Sequence, residues 1–247
     1  MRLNGIADAT PKCLLHVGGI SLIERQVHAL KSLGISDIVV VVGYGAGLVR
    51  ATCGSEPCYV TNDRFETTNS LFSLWLAREH LRKGFIVLNS DVLFDTRMLE
   101  TLIASRHKNA LLFEPVVDGP SSLGDEEMKV RISDGRVVEI SKSIDPSIAD
   151  GENVGIAKFG PAGANLLIGH MERLISRDGQ RSWAPRAFQE FAADRSLFAI
   201  STNGYPWIEI DFPEDYQRAC TEILPRIERS AYKPKRYKGP AGLSNSQ

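Results

Sequence analysis

The chain has 247 residues, 43% hydrophobic and 24% charged, with 29 basic against 30 acidic side chains and a formal charge of -1. That balance suits one large globular α/β domain, or a core with a small lobe, and excludes a global field that would draw nucleic acid or an anionic membrane, so any anion must be held locally. The four cysteines, Cys13, Cys53, Cys58 and Cys220, contain no CxxC pair and are too sparse for a disulfide scaffold, which favours a reducing, cytoplasmic setting. No apolar run approaches the roughly 18 residues needed to cross a bilayer. The five histidines show neither HExxH nor paired Cys/His spacing, so no zinc centre is expected. Nothing in the composition excludes a homo-oligomer.

In chain order, residues 1–19 read as loop, broken by Pro11 and rich in small side chains. From Ser21, Leu22, Ile23, Val27, Leu30 and Leu33 recur at helical spacing, with Glu24 completing a capping box and Gly34 as a stop. Residues 38–42 form a strand by composition. The glycines at 43, 45 and 47 invite a dinucleotide fingerprint, but GxGxxG would need glycine or alanine where Leu48 stands. A short strand is expected over 58–61, a polar loop over 62–69 and a helix over 70–81.

Residues 85–88 are a continuous apolar run, which suits a central strand of a parallel sheet covered on both faces. It stops at Asn89, Ser90 and Asp91, at the strand end where open α/β sheets hold ligands. Asp91 is therefore a candidate for chemistry, or else a turn or N-cap residue before the helix at 98–104. A strand follows over 109–113. Residues 128–132 and 137–140 read as a hairpin across Asp134-Gly135. Further strands are expected over 156–159, 197–200 and 207–210, and helices over 162–175, 183–193 and 213–226. A basic tail without packed structure is expected over 230–247. Asp211 ends a strand just before Pro213, so it mirrors Asp91 or serves as an N-cap. Two such carboxylates, far apart in sequence, can share one Mg²⁺ with phosphate oxygens and waters.

Three stretches together carry a resemblance: residues 10–24 (TPKCLLHVGGISLIE), the strand ending at Asp91, and residues 207–211 (WIEID). In order and spacing they resemble the nucleotidylyltransferases that make nucleoside-diphosphate sugars and alcohols. Residues 62–73, with TTNS at 67–70, and residues 128–142 are similar to the branch acting on phosphocholine and related phospho-alcohols. The resemblance implies an α/β, Rossmann-like three-layer mixed sheet of the nucleotide-diphospho-sugar transferase type, with a small β-hairpin acceptor lobe. It implies one domain over residues 1–229, with an acceptor-side insertion at about 116–160.

The implied reaction moves a nucleotidyl group, with CTP the favoured triphosphate, onto the phosphate of a small phospho-alcohol such as phosphocholine, or of a phosphonate, and releases pyrophosphate. A phosphate monoester has a second pKa of about 6, so the acceptor needs no general base. Catalysis then reduces to positioning and charge, in keeping with cations and carboxylates, rather than a Ser/His/Asp set, at the motif positions. By resemblance Asp91 and Asp211 hold Mg²⁺, Lys12 neutralises the triphosphate, Arg2 supports the leaving pyrophosphate and Lys142 meets the acceptor phosphate. Lys129 and Arg131 are the neighbouring alternatives to Lys142. Thr68, Asn69 and Ser90 complete the implied nucleotide contacts. Trp207, Tyr205, Trp183 and Phe72 are the aromatics available to a quaternary ammonium.

The sequence departs from the family at its start. There an apolar strand and a glycine-rich GxGxRL loop come first, whereas here the match begins at Met1-Arg2-Leu3. The resemblance places that strand between residues 38–42 and 85–88, and implies either that it lies upstream of Met1 or that the copy is inactive. A sugar-1-phosphate nucleotidylyltransferase using UTP, dTTP or GTP, and a non-catalytic binding or regulatory homologue, are the alternatives.

Overall fold

The computed structural model describes residues 10–116, 123–177 and 179–231. Arg2, part of the 116–160 insertion and nearly all of the expected tail fall outside these ranges.

A tight turn at Lys12–Leu14 leads into a small antiparallel pair, β1 (His16–Val17) and β2 (Ile20–Ser21), and then α1 (Leu22–Ser32). The capping box is present: the Ser21 N–H donates to Glu24 Oε2 at 2.9 Å, and the Glu24 N–H donates to Ser21 Oγ at 3.3 Å. Strand β3 (Val39–Val42) pairs in parallel with β4 (Cys58–Thr61) across α2 (Ala46–Cys53), a helix that three glycines conceal in the sequence. Gly45, at φ 61°, is the N-cap of α2, and a side chain on it would strike the ring of Pro11. The glycine turn thus backs the loop that carries Lys12, and a dinucleotide role is unnecessary to explain it.

The helix expected over 70–81 is two, α3 (Ser70–Leu76) and α4 (Arg78–Leu81), separated at Ala77. There follow β5 (Phe85–Leu88), β6 (Val92–Phe94), α5 (Thr96–Ala104) and β7 (Ala110–Pro115). The hairpin β8 (Lys129–Ser133) and β9 (Arg136–Ser141) turns at Asp134 and Gly135, both left-handed at φ 50° and 72°, as a two-residue primed turn requires. Next come β10 (Gly151–Phe159), α6 (Pro161–Ser176), α7 (Pro185–Asp194), β11 (Phe198–Ser201), β12 (Trp207–Glu209) and α8 (Pro213–Arg218). A wider turn at Ala219–Ile223 leads into α9 (Leu224–Ala231), so helix runs past residue 226, where the last helix is expected to end.

Six strands form the main sheet in the order β5, β10, β7, β11, β9, β8. Here the structure corrects the sequence reading: the sheet is mixed rather than parallel, and β5 is antiparallel to β10 and, among the described residues, lies at one end of it. Among the described residues β5 pairs only with β10, and β3 only with β4. Strand β10 is more than twice as long as expected, because Gly151 and Gly155 hide its first half, and it bulges between Asn153 and Ala157 with Gly155 at φ 80°. The sheet is covered on both sides. Leu111, Ala157 and Phe159 pack with Leu167, Met171, Phe188 and Phe191 of α6 and α7, while Leu112 and Ile156 pack with Val27 and Leu30 of α1 and Leu99 and Leu102 of α5. The alternation of Leu111 and Leu112 between the two cores is the period-two pleat at work, and it gives the three layers.

Candidate functional site

Strands β6 and β12 pair antiparallel with Glu209 opposite Val92, and the Ile210 N–H donates to the Asp91 carbonyl at 3.0 Å. This pairing brings together two carboxylates 120 positions apart. Lys12 joins them from the N-terminal turn: its Nζ donates to Asp211 Oδ1 and lies 3.9 Å from Asp91 Oδ2. All three side chains are about one quarter exposed, so the cluster sits at the mouth of the strands, screened in part from water.

The structural alternatives for both aspartates are taken by other residues. Asp95 caps α5 by accepting from the Arg97 N–H at 3.0 Å. Asp215 accepts from the N–H groups of Asp211 and Phe212 at 3.1 and 2.9 Å, closing the turn into α8 and leaving the Asp211 carboxylate to Lys12. The loop of Asp91 is held from two sides. Gln26, buried on α1, donates to the carbonyls of Asn89 and Val92 at 2.8 and 2.9 Å, and the Gly155 carbonyl at the β10 bulge accepts from the Asn89 N–H at 2.9 Å.

Sequence reasoning passed over Gln26 and Glu209, though both carry a signal. Gln26 is a polar residue inside the apolar stripe of α1. Glu209 alternates with Trp207 and Asp211 along β12, while Ile208 and Ile210 turn into the core. Burial, then the charges of Asp91 and Asp211, push the Glu209 carboxyl up to about 7, with Lys12 and Lys142 opposing. The acidic wall continues onto the main sheet, where Glu114 and Glu152 face each other across β7 and β10. Glu114 accepts from the Trp207 indole at 3.0 Å and from the Thr202 hydroxyl. Glu152 is pushed up to about 8, by burial first and then by Glu127, Glu209 and Glu114.

The three cations considered at the hairpin separate by environment. Lys129 is fully buried, with Nζ donating to the carbonyls of Gly124 and Glu127 at 2.6 and 3.3 Å. Arg131 is exposed and pairs with Glu139 at 3.4 Å. Lys142 is the one whose charge reaches Glu209; it pairs with Glu126 at 3.1 Å and stands 5.1 Å from the centre of the Trp183 ring. Thr68 donates to the Arg64 carbonyl at 2.7 Å and accepts from Asn62 at 3.0 Å, and the Asn69 side chain caps α3 by accepting from the Ser70 N–H at 2.7 Å. Ser90 is exposed in the turn before Asp91.

Asp91 and Asp211 already share one cation, the Lys12 ammonium, so the donor set suits a hard divalent ion that takes two carboxylates and completes its shell with phosphate oxygens and water. Among the described residues no group of three His, Cys, Asp or Glu side chains is arranged around a metal position.

The chain is similar to several known proteins. A probable mannose-1-phosphate guanylyltransferase from Oryza sativa subsp. japonica is 28% identical over 256 residues, covering 93% of this chain and 63% of that protein. A choline-phosphate cytidylyltransferase from Streptococcus pneumoniae is 31% identical over 109 residues, covering 43% of this chain and 47% of that protein. The chain spans about half the length of the first curated relatives it matches, 53% and 48%. Its fold is shared with the solved inositol-1-phosphate CTP transferase from T. maritima, at a TM-score of 0.72 and 20% identity over 92% of this chain and 91% of that one. The MobA-like NTP transferase domain matches residues 2–142, more than half of the sequence, and the chain belongs to that family.

Proposed function

We propose that the chain transfers a nucleotidyl group from a nucleoside triphosphate, CTP by preference, to the phosphate of a small phospho-alcohol such as phosphocholine, or of a phosphonate, with release of pyrophosphate. The observation that carries this reading is the meeting of Lys12, Asp91 and Asp211 at one point, from three distant stretches of chain. A dianionic acceptor needs no base to activate it, and no base is required of the cluster. What the reaction needs is charge held in a fixed place as the acceptor oxygen bonds to the α-phosphorus and the α–β phosphoanhydride breaks to release pyrophosphate.

In this reading Asp91 and Asp211 hold Mg²⁺, which when bound supplies neutralising charge to the phosphates. Lys12, at the same spot, serves the triphosphate as a compact cation. Lys142 holds the acceptor phosphate: Lys129 is committed to backbone carbonyls, and of the two cations that each pair with one glutamate, Arg131 with Glu139 and Lys142 with Glu126, it is Lys142 whose charge reaches Glu209 beside the cluster. Arg2, Thr68, Asn69 and Ser90 are proposed nucleotide contacts. For Asn69, whose side-chain oxygen caps α3, the amide nitrogen is the part left to offer.

CTP is favoured because the cytidylyltransferase relative is the more identical of the two described above and the T. maritima neighbour is named as a CTP transferase. The second reading, a sugar-1-phosphate nucleotidylyltransferase, draws on the guanylyltransferase relative aligning along 93% of the chain. Pyrophosphate release separates the two: CTP, UTP, dTTP and GTP are each paired with choline phosphate, ethanolamine phosphate, 2-aminoethylphosphonate, glucose 1-phosphate and mannose 1-phosphate. CTP with a phospho-alcohol or phosphonate should turn over fastest. Faster turnover of a hexose phosphate with another triphosphate contradicts the proposal.

A further inference from the structure

Beside Lys142 lies an open cavity of about 890 Å³, between the hairpin β8–β9 and the segment leading into α7. Its lining is strongly biased in charge: Arg131, Lys142, Arg181 and Arg186 against the single carboxylate of Glu139. Arg131 spends its charge on Glu139 and Lys142 on Glu126. Among the described residues Arg181 and Arg186 form no ion pair, and the Arg186 guanidinium donates to the Ser182 hydroxyl at 2.9 Å. Trp183 lies between them in sequence, 49% exposed, and lines the cavity with Lys142 5.1 Å from its ring centre.

This groove is tied to the candidate site at both ends. Lys142, the cation proposed for the acceptor phosphate, lines it. The segment 180–184 is bonded to the start of α3: the Asn69 and Leu71 N–H groups donate to the carbonyls of Gln180 and Ser182 at 2.9 and 3.2 Å, and the Ala184 N–H donates to Ser70 Oγ at 2.9 Å. The aromatics open to a quaternary ammonium are also largely taken. Arg64 lies 5.1 Å from the Phe72 ring, Arg97 4.2 Å from Tyr205 and Lys142 5.1 Å from Trp183. A cationic acceptor would meet two unpaired guanidinium groups here, whereas an anion would satisfy both.

We infer that this groove seats the non-reacting end of the acceptor, and that this end carries an anionic group, a carboxylate or a second phosphate, beyond the phosphate that attacks. The inference rests on the nucleotidyl-transfer reading and narrows its acceptor class to phospho-alcohols or phosphonates with an anionic far end, in place of phosphocholine. Lys142 then grips the reacting phosphate, Arg181 and Arg186 the distal anion, and the Trp183 face the carbon skeleton between them.

Matched acceptors test it: ethanolamine phosphate against O-phosphoserine, and glycerol 3-phosphate against 3-phosphoglycerate, each pair differing by one carboxylate. The carboxylate member should have a kcat/KM about tenfold higher, the scale of one charge-assisted hydrogen bond, and Arg181→Gln with Arg186→Gln should abolish the difference by raising its KM. A parallel calorimetric titration of 3-phosphoglycerate and glycerol 3-phosphate, without triphosphate, reads the groove independently of turnover. Pyrophosphate release without preference in either pair overturns the inference and leaves the transfer reading intact. Tighter binding of 3-phosphoglycerate, lost in the double variant, with no pyrophosphate released from any acceptor, upholds the anion groove and overturns the transfer reading. Equal binding of the two titrants overturns the inference.

Discussion

Lys129 and Lys142 lie on the same hairpin and have the same side chain, yet their surroundings give them different work. The Lys129 ammonium is enclosed and satisfies two backbone carbonyls, so Lys129→Met leaves both without a donor and costs about 1–3 kcal/mol, visible as a lower denaturant midpoint. Lys142→Ala should leave that midpoint in place and raise the acceptor KM. Nothing in the sequence separates the two lysines, because burial here depends on β10 crossing beside β8. Glu152 supplies a pH dependence. Its folded carboxyl titrates at about 8 against 4.5 in the unfolded chain, so the folded state binds the extra proton between those values. Stability from this group is therefore fully present below 4.5 and is lost as pH rises through 8. Glu152→Gln keeps the shape without the charge: melting temperatures of variant and wild type should lie close at pH 5 and separate at pH 9, with the variant the more stable.

At the level of elements, the candidate site depends on a bulge. Gly155, left-handed in the middle of β10, leaves no room for a side chain against Asn89 and gives its carbonyl to the Asn89 N–H, and so sets the turn that delivers Asp91. Gly155→Ala should cost about 1–2 kcal/mol for the left-handed backbone and lower turnover as well, because the Asn89 turn must shift. A stable variant with wild-type turnover would detach the bulge from the site. An isolated glycine in a strand is a legible sign of such a bulge, but the sequence shows it only once the strand is recognised, and Gly151, Asn153 and Gly155 together disguise the first half of β10. Helix α2 was hidden for the same reason. Helix α1, the β4 strand and the hairpin were legible because capping box, apolar period and Asp-Gly turn each point to the same local structure.

Across the whole molecule, the two aspartates were legible because each ends a strand before a turn, and a strand end is where this class of sheet opens to ligands. Their meeting was not, since it requires β6 and β12 to pair at a particular register, and so does the continuity of Lys142 with the arginines before and within α7. The strand order likewise escapes local reading: the apolar run of β5 is the same whether its neighbours are parallel or antiparallel. We propose that Asp91, Asp211 and Lys12 form one catalytic cluster. Pyrophosphate release by Asp91→Asn and Asp211→Asn, run beside thermal melts and with the acceptor that serves the wild type best, tests it directly. Each variant should melt as a folded protein and lose at least about a hundredfold in turnover, the scale of removing one preorganised electrostatic group. Wild-type rates in either folded variant would contradict the account.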